Sequence, residues 1–340
     1  MRALTLDTDG TLVRTTRPDP PLTRPDDVRV RVVQTGICGT DRGVLTGKFP
    51  AEAGVVMGHE AVGRVESTGP DSRFAPGDRV VINPTLYCSD CHQCAAARFQ
   101  HCVNKAGTEV GLDRDGSFAD YIVLPERFVH PLPEDMSWNR AVVVEPLACV
   151  LNNLDAASVV PGEAVTILGA GPIGLVTAMA ALHLGSGVVL VETDPLRREL
   201  AGKILHDLPV SAPLTVTDPD GAVLAPRSRT VVDTVGSLLD TALELVDIAG
   251  TVVIMGFDDR SRVTVQPLDI LRRGLRIVGA GDYNAPSFPR ALALAEHLPL
   301  ERVVTHRIPL DEYERALEVI GVTGHDYRGA KVVIVSDDEQ

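Results

Sequence analysis

The chain of 340 residues has no run of about 18 uninterrupted apolar residues, so no membrane-spanning helix is expected. Its first residues, MRALTLDTDG, lack the basic segment and apolar core of a secretory signal. There is no internal repeat and no low-complexity tract. Basic residues are in the minority: 32 Lys and Arg face 46 Asp and Glu, for a formal charge of -14. A field of that sign disfavours nucleic acid and anionic membrane, and neither is an expected partner. With 44% hydrophobic residues, the chain has material for two domains, each with its own core.

Six cysteines would allow three disulfides. That arrangement suits small secreted chains, not one of this length without a signal. Metal binding in a reducing cytoplasm is the expectation. Four of the six, Cys88, Cys91, Cys94 and Cys102, form C-x2-C-x2-C-x7-C within 15 residues. The short spacings let consecutive thiolates turn inward along one loop, and Cys102 closes the site, as a structural zinc requires. Four buried free thiols are the bland alternative. An iron–sulfur run would want its fourth cysteine closer and followed by proline. Val103 follows here, so zinc is preferred.

The first third reads as short strands and turns. Val28, Val30 and Val32 alternate with Arg29 and Arg31, the mark of a half-buried strand. Close glycines and prolines after it suggest an irregular β-barrel with long loops. Near residue 150 the character changes. The apolar run Ala164 to Leu168 stops at Gly169, and Pro172 to Leu184 suits a packed helix. Val188 to Val191 reads as a second strand. Arg229 to Val235, Thr251 to Met255 and Arg276 to Val278 read as further strands, with a helical pattern from Leu238 to Ile248. Strands alternating with helices imply a doubly wound parallel sheet. Lys331 to Val335 is strand-like, and Ser336 to Gln340 reads as a frayed acidic end.

Cys38, His59, Glu60 and the distant Glu145 form a second set of metal-binding types, mixed as in zinc sites that do chemistry. Cys38 lies in Gly36-Ile37-Cys38-Gly39-Thr40-Asp41 and His59 in Gly58-His59-Glu60-Ala61-Val62-Gly63. With the cysteine lobe after them, and with Gly77-Asp78-Arg79-Val80, Asp115 to Tyr121 and Val144-Glu145-Pro146-Leu147, these motifs resemble the zinc-containing medium-chain dehydrogenase/reductase family. The resemblance spans nearly the whole chain. It implies a GroES-like β-barrel catalytic domain (1–152 and 286–340) with an inserted Rossmann NAD-binding domain (153–285).

By the same resemblance, Cys38 and His59 bind a catalytic zinc. Glu60 is the third ligand, in the manner of polyol and glucose dehydrogenases, and Glu145 binds the metal or its water. Asp41 orients the His59 ring, and Thr40 passes the substrate proton away. Zinc would act as a Lewis acid toward an alcohol oxygen while hydride leaves for the nicotinamide. Two positions depart from relatives. Gly43 stands where many alcohol dehydrogenases carry a proton-relaying His, so the proton would leave by cofactor ribose and water. Asn152 stands where relatives often have His, as a substrate contact or simply a helix residue.

Gly169-Ala170-Gly171-Pro172-Ile173-Gly174 follows an apolar strand and opens a helix, the context a dinucleotide turn needs. Gly169 allows the turn, Gly171 lets the backbone approach pyrophosphate, and Gly174 lets helix and strand pack closely. Glu192, 23 residues after Gly169, is placed to accept the ribose hydroxyls and repel a 2′-phosphate, so NAD is preferred. Arg197 and Arg198 keep NADP as the alternative, and Asp194 reads as a helix cap before Pro195.

The expected protein is therefore a two-zinc, NAD-dependent dehydrogenase of a polyol, sugar or cyclitol, a cytoplasmic homodimer or homotetramer. One alternative is an aminocyclitol dehydrogenase, because Val144 to Asn152 resembles that segment of 2-deoxy-scyllo-inosamine dehydrogenases. Another is a non-catalytic zinc-stabilised binding protein. A zinc-independent quinone reductase would lack both ligand sets.

Overall fold

A computed structural model describes residues 1–324 and 329–336. The acidic end from Asp337 to Gln340 lies outside the described residues. Ser336 is not frayed: its N–H donates to the Val33 carbonyl at 3.0 Å. Among the described residues no helix is long and apolar enough to cross a membrane.

The strands are β1 (Arg2–Leu6), β2 (Leu12–Thr16), β3 (Asp27–Gly36), β4 (Glu60–Thr68), β5 (Arg79–Ile82), β6 (Tyr121–Pro125), β7 (Val129–Pro131), β8 (Ala164–Leu168), β9 (Gly187–Val191), β10 (Leu214–Thr217), β11 (Ser228–Asp233), β12 (Val246–Ile254), β13 (Arg276–Val278), β14 (Val304–Pro309) and β15 (Lys331–Val335). The chain divides into two compact units. One holds Met1–Glu145, Asn284–Glu296 and the described part of Val304–Gln340; the other holds Pro146–Tyr283 and His297–Val303.

In the first unit the sheet runs β14-β15-β3-β4-β5-β7, with β6 also on β3, and β1 and β2 form a separate pair. Strand β3 is the hub. Val28, Val30 and Val32 enter a core with Val65, Val80, Ile82, Leu124 and Phe128. Arg29 and Arg31 stay half-exposed, as the alternation predicts. Across this sheet Gly36 on β3 stands opposite both Glu60 on β4 and Val333 on β15. A buried guanidinium fixes the entry to β5. Arg79 donates to the Pro133, Glu134 and Met136 carbonyls and lies 4.0 Å from the Trp138 ring centroid. That satisfies a charge that burial alone would penalise heavily.

The second unit is a six-stranded parallel sheet ordered β10-β9-β8-β11-β12-β13. Numbered from β8, this is the 3-2-1-4-5-6 order of a dinucleotide-binding fold, which reverses between β8 and β11. Helix Pro172–His183 buries every residue from Gly174 to Leu182, so its small side chains serve close packing. The helix expected to reach Ile248 ends at Leu245. Val246 is fully buried against the sheet and opens β12 instead. Val246 and Ile248 are β-branched, and extended backbone suits them better than another helical turn.

His130 on β7 has an unusual environment. Its ring lies 4.6 Å from that of Phe288, and its Nε2 has no hydrogen-bond partner. Burial, helped by the Arg73 charge, pushes its pKa down to about 4. The folded pKa lies below the unfolded value, so the neutral ring carries no penalty above the unfolded pKa of about 6.5. Stability is lost as pH falls from there toward 4, at up to about 1.4 kcal/mol per unit. The replacement His130→Gln should therefore shrink the loss of stability between pH 7 and 4.5 in denaturant titrations. An acid limb identical to that of the parent would contradict this placement of His130.

Candidate functional site

The loop from Cys88 to Cys102 contains only the short helix His92–Ala95 and the 3-10 turn Phe99–His101. Its anchorage is aromatic: Tyr87 stacks on Phe99 at 3.7 Å and meets Phe128 edge-on at 5.0 Å. The four sulfurs converge. Cys88–Cys94, Cys91–Cys102 and Cys88–Cys102 sulfur separations are 3.9, 4.0 and 3.6 Å. A tetrahedron with Zn–S bonds of about 2.3 Å has edges of about 3.8 Å. All four are free cysteines. Backbone N–H groups of Cys94 and Val103 pull the Cys91 thiol down to about 6, so one thiolate is ready near neutral pH. The lobe fits a closed zinc site.

The second set is assembled from two strand ends. Cys38 follows β3 and precedes helix Gly39–Leu45, and its N–H donates to Asp41 Oδ2 at 2.8 Å. His59 precedes β4, which starts at Glu60, so strand alternation does not force the two side chains apart. Gly58 makes this bend with φ +89, and a Cβ there would stand 2.3 Å from the Phe118 ring. Ligand atoms of Cys38, His59 and Glu60 lie within 4.8 Å of one another. Glu145 is not in that tight trio, but its charge acts on His59. Thr40 Oγ1 is 3.6 Å from Cys38 Sγ, and Asp41 Oδ1 is 3.8 Å from His59 Nδ1.

Electrostatically this pocket is built for a cation. Asp41, His59, Glu60 and Glu145 are all buried. Burial works against charge on His59, yet the Asp41 carboxylate and the Cys38 sulfur outweigh it and raise the imidazole well above its usual pKa. Asp41 Oδ1 and Glu60 Oε1 accept no hydrogen bond. Carboxylate oxygens left so at this depth are costly unless positive charge sits among them. The donor set of one thiol, one imidazole and carboxylates fits zinc with an open position.

Sequence reasoning missed Lys331. It is 2% exposed, and its ammonium is ion-paired with Glu60 Oε2. The available signal was a lysine opening an otherwise apolar strand. Asn152, left open between two roles, ties a loop: its Nδ2 donates to the Ala280 and Asp282 carbonyls at 3.0 and 3.3 Å.

In the second unit, Gly169 has φ +97, and a Cβ on Gly174 would fall 1.9 Å from the Gly169 carbonyl. Gly171 has no close neighbour there except Arg197 Nη2, at 3.5 Å from the site of its absent Cβ. The face over Gly171 is open, while Gly174 packs tightly. Pro172 and Ile173 begin the helix, with Gly171 as its N-cap. Glu192 follows β9. It accepts N–H bonds from Ala170 at 3.0 Å and Asp194 at 3.1 Å, and pairs with Arg197 Nε at 3.2 Å. Burial opposes its ionisation, but the Arg197 charge and these donors hold the carboxyl below its usual pKa. Asp194 caps the next helix through the Leu196 and Arg197 N–H groups.

The sequence model of the alcohol dehydrogenase GroES-like domain matches residues 24–134, and that of the zinc-binding dehydrogenase domain matches 172–297. D-altritol 5-dehydrogenase of Agrobacterium fabrum is 32% identical over 85% of this chain and 87% of its own length. The chain belongs to the zinc-containing medium-chain dehydrogenase/reductase family. D-xylulose reductase A of Aspergillus niger is 29% identical, covering 95% of this chain and 93% of that protein. Among solved structures, a protein assigned as a zinc-binding dehydrogenase from Sinorhizobium meliloti, bound to NADP, superposes with TM-score 0.85 at 31% identity and 98% coverage of both chains. The alcohol dehydrogenase of Thermus sp. ATN1 gives 0.86 at 27% identity, covering 98% and 99%. The fold is thus a GroES-like barrel with a Rossmann-type unit inserted, and the family is one of oxidoreductases.

A metal held by these four thiolates would contribute directly to folding. Cys91→Ser should release one zinc per chain and lower stability by about 4 kcal/mol or more, the range seen when a structural metal is lost. Metal analysis with thermal unfolding measures both. Unchanged zinc content and unchanged melting would overturn the four-thiolate assignment.

Proposed function

We propose that the protein is a zinc-dependent dehydrogenase that transfers hydride between a secondary alcohol (a polyol, sugar or cyclitol) and NAD. The observation that carries this reading is the convergence of Cys38, His59 and Glu60, whose ligand atoms lie within 4.8 Å of one another. In this reading Cys38, His59 and Glu60 hold the catalytic zinc, Glu145 serves the same metal, and Cys88, Cys91, Cys94 and Cys102 hold a structural one. Bound zinc would supply Lewis-acid polarisation of the substrate oxygen. Asp41 orients the His59 ring. Thr40, beside Cys38, takes the substrate hydroxyl proton, and since Gly43 offers no relay, ribose and water carry it onward. In this reading the catalytic domain is 1–152 with 286–340 and the cofactor domain 153–285, although 146–152 and 297–303 fall in the compact unit of the parallel sheet, and 284–285 in the other.

The substrate class follows the names of similar proteins, an altritol dehydrogenase and a xylulose reductase, together with a carboxylate at Glu60. A cytoplasmic homodimer or homotetramer completes the reading. Exposed apolar side chains of the second unit, Leu271 at 76% exposure and Ile248 at 67%, support self-association. The test of the reaction is an NAD-coupled screen over polyols, sugars and aminocyclitols with parent and variants. His59→Ala should abolish turnover while NAD still binds, and Thr40→Ala should lower kcat by roughly 10²–10⁴. Turnover retained without His59 would refute metal catalysis at this set.

NAD is proposed over NADP because Glu192, anchored by the Ala170 and Asp194 N–H groups, would meet a 2′-phosphate with like charge. The second reading, NADP, is favoured by the Arg197 guanidinium, which partly neutralises Glu192 and reaches toward Gly171. Steady-state kinetics with both cofactors separates them. Glu192→Ala should weaken NAD use and shift the ratio of kcat/KM toward NADP by about tenfold or more, a like-charge contact being worth at least about one pKa unit. A ratio that does not move would remove Glu192 from the ribose site.

A further inference from the structure

Lys331 opens β15, whose remaining residues are Val332, Val333, Ile334 and Val335, all buried. A lysine in such a strand is costly unless its charge is compensated in place. The compensation comes from the start of β4 and the residue just after β3. Nζ is ion-paired with Glu60 Oε2 and donates to the Ile37 carbonyl at 3.1 Å. The path between them is cleared by Gly36. In register, Gly36 on β3 stands between Glu60 on β4 and Val333 on β15. A Cβ on Gly36 would lie 2.1 Å from Glu60 Oε2 and 2.8 Å from Lys331 Cε. Three strands thus build one buried contact, and its acid is a residue assigned above to the metal.

A carboxylate held in this way has two claimants. Its Oε2 is ion-paired with the ammonium, while one of its carboxylate oxygens lies within 4.8 Å of ligand atoms of both Cys38 and His59. Resting on the metal reading of Cys38, His59 and Glu60, we propose that Lys331 is a positioning residue whose ammonium competes with the bound cation for Glu60. It thereby lowers the site's affinity for the cation and makes Glu60 an exchangeable ligand.

The test uses the full chain with Co2+ as probe, read by visible absorption. One thiolate at the Cys38 set and four in the lobe give separable spectra. Chelator competition then gives the affinity and release rate at the single-thiolate site. Lys331→Met should bind Co2+ there about tenfold more tightly or better, the scale of a change beside the ligands, and release it more slowly. Lys331→Arg keeps a cation for Glu60 and should resemble the parent. In a Glu60→Gln background the effect of Lys331→Met should largely vanish, because competition acts through that carboxylate. If Lys331→Met folds only with metal, the rise in melting temperature on adding Co2+ must exceed that of the parent. An unchanged or weaker affinity, an equal rise in melting temperature, or an equal gain in the Glu60→Gln background would overturn the proposal. Absence of any single-thiolate spectrum in the parent would remove the metal reading itself, and the proposal with it.

Discussion

Charge buried inside a sheet must be compensated where it stands, and the first unit is organised by that constraint. Asp41, His59, Glu60, Glu145 and Lys331 are all at most 8% exposed. Their mutual charges matter more than any single group. His59 and Lys331 are both driven toward the charged state by surrounding anions, against the cost of burial. One lysine pairs with one acid, while Asp41 Oδ1 and Glu60 Oε1 accept no hydrogen bond. A divalent cation is the simplest group that would satisfy a thiolate, an imidazole and a carboxylate at once. The glycines at 36 and 58 serve the same end. Each gives up a side chain so that a charged or aromatic one can occupy its space.

The Rossmann-type unit solves a different electrostatic problem. The cofactor carries its own negative charge, so the unit offers an open glycine turn and a helix N-terminus. Glu192 is held ionised there by backbone N–H groups and Arg197. In the proposed reading, an acid in that position would discriminate between two ribose chemistries at the cost of placing negative charge near phosphates. Arg197 offsets part of that charge, so the carboxylate and the guanidinium would act on cofactor choice as a unit.

Much of this was legible before any coordinates. The C-x2-C-x2-C-x7-C spacing carried its geometry directly, because sulfurs so close in sequence can converge without help from the rest of the fold. The alternating strand at Val28 and the turn from Gly169 to Gly174 were equally local. The roles of Cys38, His59 and Glu60 came from resemblance, since residues 21 apart converge only through the pairing of β3 with β4. Lys331 was illegible because its partner lies 271 positions earlier and the pairing crosses an intervening strand. The end of the helix before Val246 was misjudged because burial against the sheet, a tertiary effect, overrode helical periodicity. Asn152 was open between a substrate contact and a helix residue, and the structure shows its side chain donating to the Ala280 and Asp282 carbonyls.

The account stands or falls on where the metal binds. A crystal structure of the protein purified without chelator, with anomalous data collected on both sides of the zinc absorption edge, locates every zinc without assumption. The account predicts two peaks per chain. One should be bound by the sulfurs of Cys88, Cys91, Cys94 and Cys102, and the other by Cys38, His59 and a carboxylate of Glu60 or Glu145. A chain with zinc in the lobe but none at Cys38 and His59, from protein that oxidises alcohols, would contradict it.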